Sequence, residues 1–420
     1  MKTFLSLISL LEEKKAAKEL TGHLQHVADY LFFGKKETET NQGTPVDPHS
    51  AITHIENTHH RFAKGKTKTG HELTLKVDGG MSVVAGRHHD GKHFVAYKGV
   101  DNANEGFTNH KQIAATGKDH MVRHLSPLLD HVKKMNLQPG TAVQGDIVHN
   151  AENHDGSSQP NTIKYKMNKG VKLSLAIHSE HNIDKNTGVF KKKTNYPDTK
   201  NMQGKGFHVP DLAMDERVQL KLHPDRAKKI EHHIKSAKAL LTPDVVKFSK
   251  SILDGKTTHP KFHEFLSQYS NYEARTNGSR DVGRMRKFID TGTDAYMNKS
   301  AQKKLSPKSH ESLKQGLHDA ITNNEHHLHS MFGVHNHLTQ ASEHMLDQLG
   351  EHGNQFDIHP HEDSPFKAHE GMVSSYKNKN GIETQAKLTR QGSRGFSAVN
   401  KVEGPKRFAP KAPAPKANES

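Results

Sequence analysis

A lysine two residues before an aspartate, at the end of an alternating apolar run, is the first place where this chain could do chemistry. In Leu73-Thr-Leu75-Lys76-Val77-Asp78-Gly79 the period of two reads as a strand, and Gly79-Gly80 as the turn that ends it. Lys76 and Asp78 then share a face if the extended geometry persists. Such an amine is either a solvated strand lysine before an Asp-Gly turn or a nucleophile. A nucleophilic lysine needs its ordinary pKa of ~10.4 lowered, which nearby cations do. Further charged residues follow in order. Lys98 closes Phe94-Val-Ala-Tyr97-Lys98, Asp146 lies in Gln144-Gly145-Asp146, and Glu370 opens Glu370-Gly371-Met372-Val373. Lys387 and Arg390 lie in Ala386-Lys387-Leu388-Thr389-Arg390. Taken singly, Asp146 also reads as a strand-end turn acid, Glu370 as a solvated loop acid and Lys387 as an edge-strand gatekeeper.

The elements that must position these residues are legible from periodicity. Residues 1–34 and about 51–62 read as helices. Strands are predicted at 73–77, 81–85, 93–98, 141–148, 162–167 and 171–178, with a hairpin turn at His88-His89-Asp90-Gly91 and a helix over about 119–135. Residues 180–210 read as a polar loop or hairpin and 211–350 as helical, with strands resuming over 366–402. This predicts an α+β chain with antiparallel hairpins, not a βαβ repeat. Its expected divisions are an N-terminal helical segment at 1–65, a first β-rich part at 66–210, a helical insertion at 211–350, returning strands at 351–402 and a Pro/Ala/Lys-rich disordered tail at 403–420.

The ordered set Lys76-Val-Asp78-Gly79, Lys98, Gly145-Asp146, Glu370-Gly371 and Lys387-Leu-Thr389 resembles the motifs of the covalent nucleotidyltransferase superfamily: DNA ligases, RNA ligases and mRNA capping enzymes. The resemblance covers about 70–180 and 366–402. Together with the N-terminal helices, these strands also resemble an uncharacterised ligase-like family of tailed phages. The resemblance implies an antiparallel adenylation domain and ATP-dependent joining of 5′-phosphate and 3′-hydroxyl ends through a lysyl-AMP intermediate. It implies Lys76 as the nucleophile, and Asp78, Gly79, Lys98, Asp146, Glu370, Lys387 and Arg390 around the nucleotide. Asp78 would contact the ribose and Lys387 the α-phosphate. Asp146 and Glu370 would hold Mg2+, a hard ion suited to carboxylate and phosphate oxygens. Lys98, Lys387 and Arg390 would lower the pKa of Lys76.

The chain departs from the family pattern in three places. Asp146 stands where the family has Glu, Thr389 where it has a second lysine, and only Ile177 and His178 where it has a base-stacking aromatic. In DNA ligases and capping enzymes an OB-fold follows. Here only a low-complexity stretch follows the last motif, so no C-terminal OB-fold is expected and an RNA-ligase-like enzyme ranks first. DNA ligation, capping-like transfer, and a degenerate ligase fold serving as a nucleic-acid-binding or virion module are the alternatives. The expected partner is RNA or a nicked duplex, and the expected location the cytoplasm, that of a host if a phage encodes the chain.

Composition bounds these readings. The chain has 61 Lys+Arg against 46 Asp+Glu, a net charge of +15, so it attracts polyanions. Lys228, Lys229, Lys235, Lys238, Arg284, Arg286 and Lys287 make the insertion a candidate nucleic-acid clamp, or a solvated basic face. There is no Cys, which excludes disulfides, zinc thiolates and thiol catalysis. No run reaches the ~18 apolar residues of a membrane span. The apolar Met1–Leu11 is followed at once by Glu12 and Glu13, which reads as an amphipathic helix more than a signal peptide. With 36 His, clusters such as His232-His233 arise by chance and predict polar faces, not a transition-metal site.

Overall fold

The computed structural model describes residues 26–32, 48–150, 160–194, 197–253, 256, 259–276, 278–300, 306–377 and 383–392. A 3-10 turn at Val27–Leu31 precedes helix α1, Pro48–Lys64. Strands β1 (His71–Lys76), β2 (Ser82–Arg87) and β3 (His93–Tyr97) follow, then helices α2 (His110–Ala114) and α3 (Asp119–Val132). Next come β4 (Thr141–Asn150), β5 (Leu173–Ile183), β6 (Phe190–Thr194) and β7 (Phe207–His208). Helices α4 (Pro224–Leu240), α5 (Pro243–Leu253), α6 (Phe262–Thr276), α7 (Val282–Ser300), α8 (Pro307–Asn323) and α9 (Glu325–Glu351) form the insertion. The chain returns as β8 (Gly371–Lys377) and β9 (Glu383–Thr389). No helix among the described residues is long and apolar enough to cross a membrane.

The strands form two sheets. One is 3-stranded in the order β1-β8-β9; the other is 6-stranded, β3-β2-β4-β5-β6 with β7 on β5. Every pairing is antiparallel except β5 with β7. The expected α+β class with antiparallel sheets is therefore present. The small sheet has two chemically distinct faces, because side chains alternate along each strand. Leu73, Leu75, Met372, Ala386 and Leu388 point into a core shared with α1 and the insertion helices. The opposite face carries Thr74, Lys76, Val373, Lys387 and Thr389. The insertion is thus not a separate lobe. Its long helix α9 buries Leu338, Met345 and Leu349 in the same core as the sheet.

Several expectations are corrected. β1 and β2 are consecutive yet lie in different sheets, and β1 pairs with a strand from the far end of the chain. Residues 162–167 form no strand: their chain wraps a buried acid, and Tyr165 makes only an isolated bridge to Pro360. The helical block begins at Pro224, where the proline takes the first helical position; residues 211–223 form no helix. The polar 180–210 stretch contains the end of β5, β6 and β7. In the expected first helix, residues 27–31 are a 3-10 turn. Residues 1–25, 33–34 and the 403–420 tail lie outside the described residues.

Candidate active site

The end of β1 delivers Lys76 to the seam between the two sheets. Lys76 pairs with Gly371, and Gly371 with Thr389. Lys387 is one pleat from Thr389 on the same face. Residues from the early and late parts of the chain thus converge on one surface, roughly 10 Å apart across two strand spacings. Gly371 makes this row possible: a Cβ there would come within 2.0 Å of the Leu388 carbonyl.

Lys76 Nζ donates to Glu370 Oε2 at 2.6 Å, with side chains 23% and 12% exposed. Burial works against its charge, but the Glu370 carboxylate, with Asp146 and Asp78, outweighs it and holds the amine above its ordinary range. This reverses the expectation of a lowered Lys76 pKa. The lysine pulled below its usual range is Lys387, by burial and then by the Lys76 ammonium.

Asp78 does not present a free carboxylate. It is 2% exposed. Its oxygens accept from Asn161 Nδ2 at 2.5 Å and from the backbone N–H groups of Thr162 and Ile163 at 2.5 and 2.8 Å. Its own N–H donates to Tyr165 Oη at 2.7 Å. Burial and the Glu370 charge push its pKa up to about 7 despite these donors. Asp78 therefore clasps the 161–165 loop to the end of β1, and the expected ribose contact is not offered in this arrangement. Sequence reading missed Asn161, Thr162 and Tyr165, because their apolar neighbours mimic a strand.

Gly79 and Asp146 meet where the sheets touch. A Cβ on Gly79 would lie 2.2 Å from Asp146 Cβ. Asp146 pairs with Ser82 on β2 and Ala176 on β5. Its side chain is 31% exposed, with His178 Nε2 3.9 Å from Oδ1. Burial would raise its pKa, but His178 and Lys76 keep it below the usual range. β5 bulges beside this contact, with Ile177 and Ser179 opposing successive β4 residues. The extra residue, His178, is thereby turned toward Asp146, while Ile177 is buried under α3. Overpacking at Gly79 should cost about 1–3 kcal/mol. Gly79→Ala is therefore expected to lower the melting temperature and splay Asp146 from Lys76; a thermal melt indistinguishable from the parent's would refute the contact.

Lys98 sits at the rim. Its N–H donates to Ser82 O at 3.0 Å, and its side chain makes no ion pair among the described residues. Arg390 is turned away: Nη1 lies 2.7 Å from Asp347 Oδ1 on α9. Its expected role beside the nucleotide is replaced by a tie between β9 and the insertion. A second tie is buried. Arg280 donates to Gln391 Oε1 at 2.7 Å and to Ser270 O at 2.9 Å, and lies 3.4 Å from Asp29. Thr389 Oγ1 and His26 Nδ1 are 3.1 Å apart. One consequence of the insertion is therefore to hold the strand that carries Lys387.

Among the described residues no three His, Asp or Glu are arranged to hold a metal by themselves. Mg2+ asks less, usually one or two carboxylates completed by phosphates and water. Glu370 and Asp146 both act on the Lys76 charge, and both carry carboxylate oxygens, the hard donor type that Mg2+ takes. A separate cavity of about 410 Å³, lined by His88, His89, Asp90 and Asp184, lies at the other end of the 6-stranded sheet. Its acids are engaged locally, Asp90 with Lys92 and Asp184 with Lys191.

Residues 21–391 match a protein family described as "Family of unknown function (DUF6267)". No curated protein and no solved structure matches the chain.

Proposed function

The chain belongs to that family of unknown function, so its activity has to be read from its own residues, and from them we propose an ATP-dependent polynucleotide ligase, RNA-ligase-like, working through a lysyl-AMP intermediate. The observation that carries this reading is the convergence of Lys76, Glu370 and Lys387 on one face of a sheet built from opposite ends of the chain.

In this reading the Lys76 Nζ lone pair attacks the α-phosphorus of ATP. The N–P bond forms, the bond to the pyrophosphate oxygen breaks, and pyrophosphate leaves with its electron pair. The ammonium must first lose a proton, and Glu370 at 2.6 Å is the nearest acceptor. Lys387, pressed below its usual range by burial and then by Lys76, gains a partner when the phosphate arrives and offsets its charge. Glu370 and Asp146 would hold Mg2+, which supplies charge neutralisation of the triphosphate. The AMP is then passed to a 5′-phosphate, and a 3′-hydroxyl displaces it to form the phosphodiester.

Intact mass after incubation with ATP and Mg2+ tests this. One added AMP per chain is expected, with ATP preferred over GTP and CTP. A strong GTP preference would move the assignment to capping-like transfer. The raised pKa of Lys76 favours one further reading, a ligase fold retained as a nucleic-acid-binding or virion module. No adduct with any nucleotide, together with salt-sensitive polynucleotide binding, would select it.

A further inference from the structure

Of the seven basic residues expected to form a surface on the insertion, three are paired, and Lys228, Lys229, Lys235 and Lys287 stay exposed on helices that also expose Asp225, Glu231 and Asp290. Lys238 pairs with Glu56 at 2.6 Å, Arg284 with Glu273 at 3.3 Å and Arg286 with Glu325 at 3.1 Å. A different group of lysines is gathered by the fold from three separate segments. Lys134 stands on the 3-10 turn that follows α3. Lys169 and Lys172 flank the turn leading into β5, where Gly170 takes a φ of 87°. Lys200 lies on a 3-10 turn and Lys205 in the tight loop before β7. These segments are stitched together. Lys172 N–H donates to Gly206 O at 2.8 Å, and Lys134 Nζ donates to Lys205 O at 3.1 Å.

All five lysines are exposed, and none makes an ion pair among the described residues. Residues 160–177 contain no Asp or Glu. In 197–207 there is one acid, Asp198, whose carboxylate accepts from the Lys200 N–H at 3.1 Å. Five exposed ammonium groups with a single nearby acid produce a local positive field that attracts polyanions and weakens with salt.

The patch is joined along the chain to residues of the candidate active site on both sides. The stretch that carries Lys169 and Lys172 begins with Asn161 to Ile163, the residues that clasp Asp78. In the other direction it enters β5, where Ala176 pairs with Asp146. Lys172 is four residues before Ala176, roughly 13 Å along an extended chain, or about four nucleotide steps of a strand.

Building on the ligase reading, we propose that this five-lysine patch is the docking surface for the sugar–phosphate backbone of the polynucleotide whose end is joined at Lys76. Lysines are compact point charges, suited to phosphates read without regard to sequence. The patch therefore positions the strand and does not select its bases.

The test uses the full-length protein and fluorescence anisotropy with a labelled single-stranded RNA, the same sequence as single-stranded DNA, and a nicked duplex. Five phosphate contacts predict a single-strand log–log salt slope of about −3.5, which is roughly a hundredfold loss of affinity between 50 and 200 mM salt. Lys169→Glu/Lys172→Glu/Lys205→Glu should weaken binding at least tenfold and flatten that slope. The insertion variant Lys228→Glu/Lys229→Glu/Lys235→Glu should bind as the parent does. The patch variant should still take up one AMP by intact mass, which separates this proposal from the adenylylation itself and reports that it is folded. Lys169→Gln/Lys172→Gln/Lys205→Gln should lie between parent and reversal. Unchanged affinity in the patch variant, or loss confined to the insertion variant, would overturn the assignment. So would polyglutamate displacing the RNA as well as unlabelled RNA does, since an acidic polypeptide would then be the better-matched partner.

Discussion

Lys76→Arg is expected to take up no AMP while keeping the melting temperature of the parent. A guanidinium can replace the ammonium in the ion pair with Glu370, now 2.6 Å from Nζ, but it stays protonated under all conditions a protein survives and offers no lone pair. Adduct formation should fall below detection, the largest effect any single change here can produce. Lys76→Ala should abolish it equally, at some cost in stability, because Glu370, Asp146 and Asp78 would lose the cation they share. Lys387→Ala removes only the charge that the ligase reading sets against the α-phosphate, and a loss of about 10²–10³ in the rate of adduct formation is expected, the scale of one preorganised electrostatic contact. The measurement is intact mass against time with ATP and Mg2+, beside a thermal melt of each variant. If the Lys76→Arg protein gains AMP at the parent's rate, the nucleophile is a different residue.

Mild acid should unfold the protein before carboxylates of ordinary pKa protonate. His54, His71, His181, His335 and His369 are buried. Burial depresses each below the ordinary 6.5, His54 to about 3 and the others to about 4. The unfolded chain therefore binds protons from about pH 6.5 downward while the folded one refuses them. Their contribution is complete above pH 6.5 and is lost as pH falls towards 4. Each such group removes about 1.4 kcal/mol per pH unit inside that window. Asp78 works the other way: its pKa is raised to about 7, so the cost of its buried charge is relieved as pH falls. One relieved carboxyl does not offset five histidines.

Two of the histidines show why the small sheet should be affected. His54 on α1 and His71 on β1 both contact the Ser374 hydroxyl, at 2.8 and 3.0 Å. Charging both places two cations around one oxygen at the seam between α1 and the sheet that carries Lys76. A series of thermal melts from pH 7.5 to 4.5 should show a steep fall beginning near 6.5. A melting temperature that is flat across that range would mean these rings are solvated.

The sequence by itself determined the local elements and the identity of the candidate site residues. Strict alternation around Lys76 and 3.6-residue spacing through the later helices are local properties, and β1, α1 and the insertion helices appear close to where they are expected. The ordered short motifs were likewise visible, because residue type is the motif. Tertiary structure alone decided what those groups meet. Nothing near Lys76 in sequence announces that β1 would leave β2 and pair with β8, since strand partnership is a long-range choice made by the buried faces. The same limit hid the Asn161–Ile163 clasp on Asp78 and the Asp347 partner of Arg390. It also hid the charge state of Lys76. An amine's pKa follows from the sum of burial and neighbouring charges, and Glu370 and Asp146, brought in from distant segments, add to the nearby Asp78 to outweigh the one lysine that the motif places beside it.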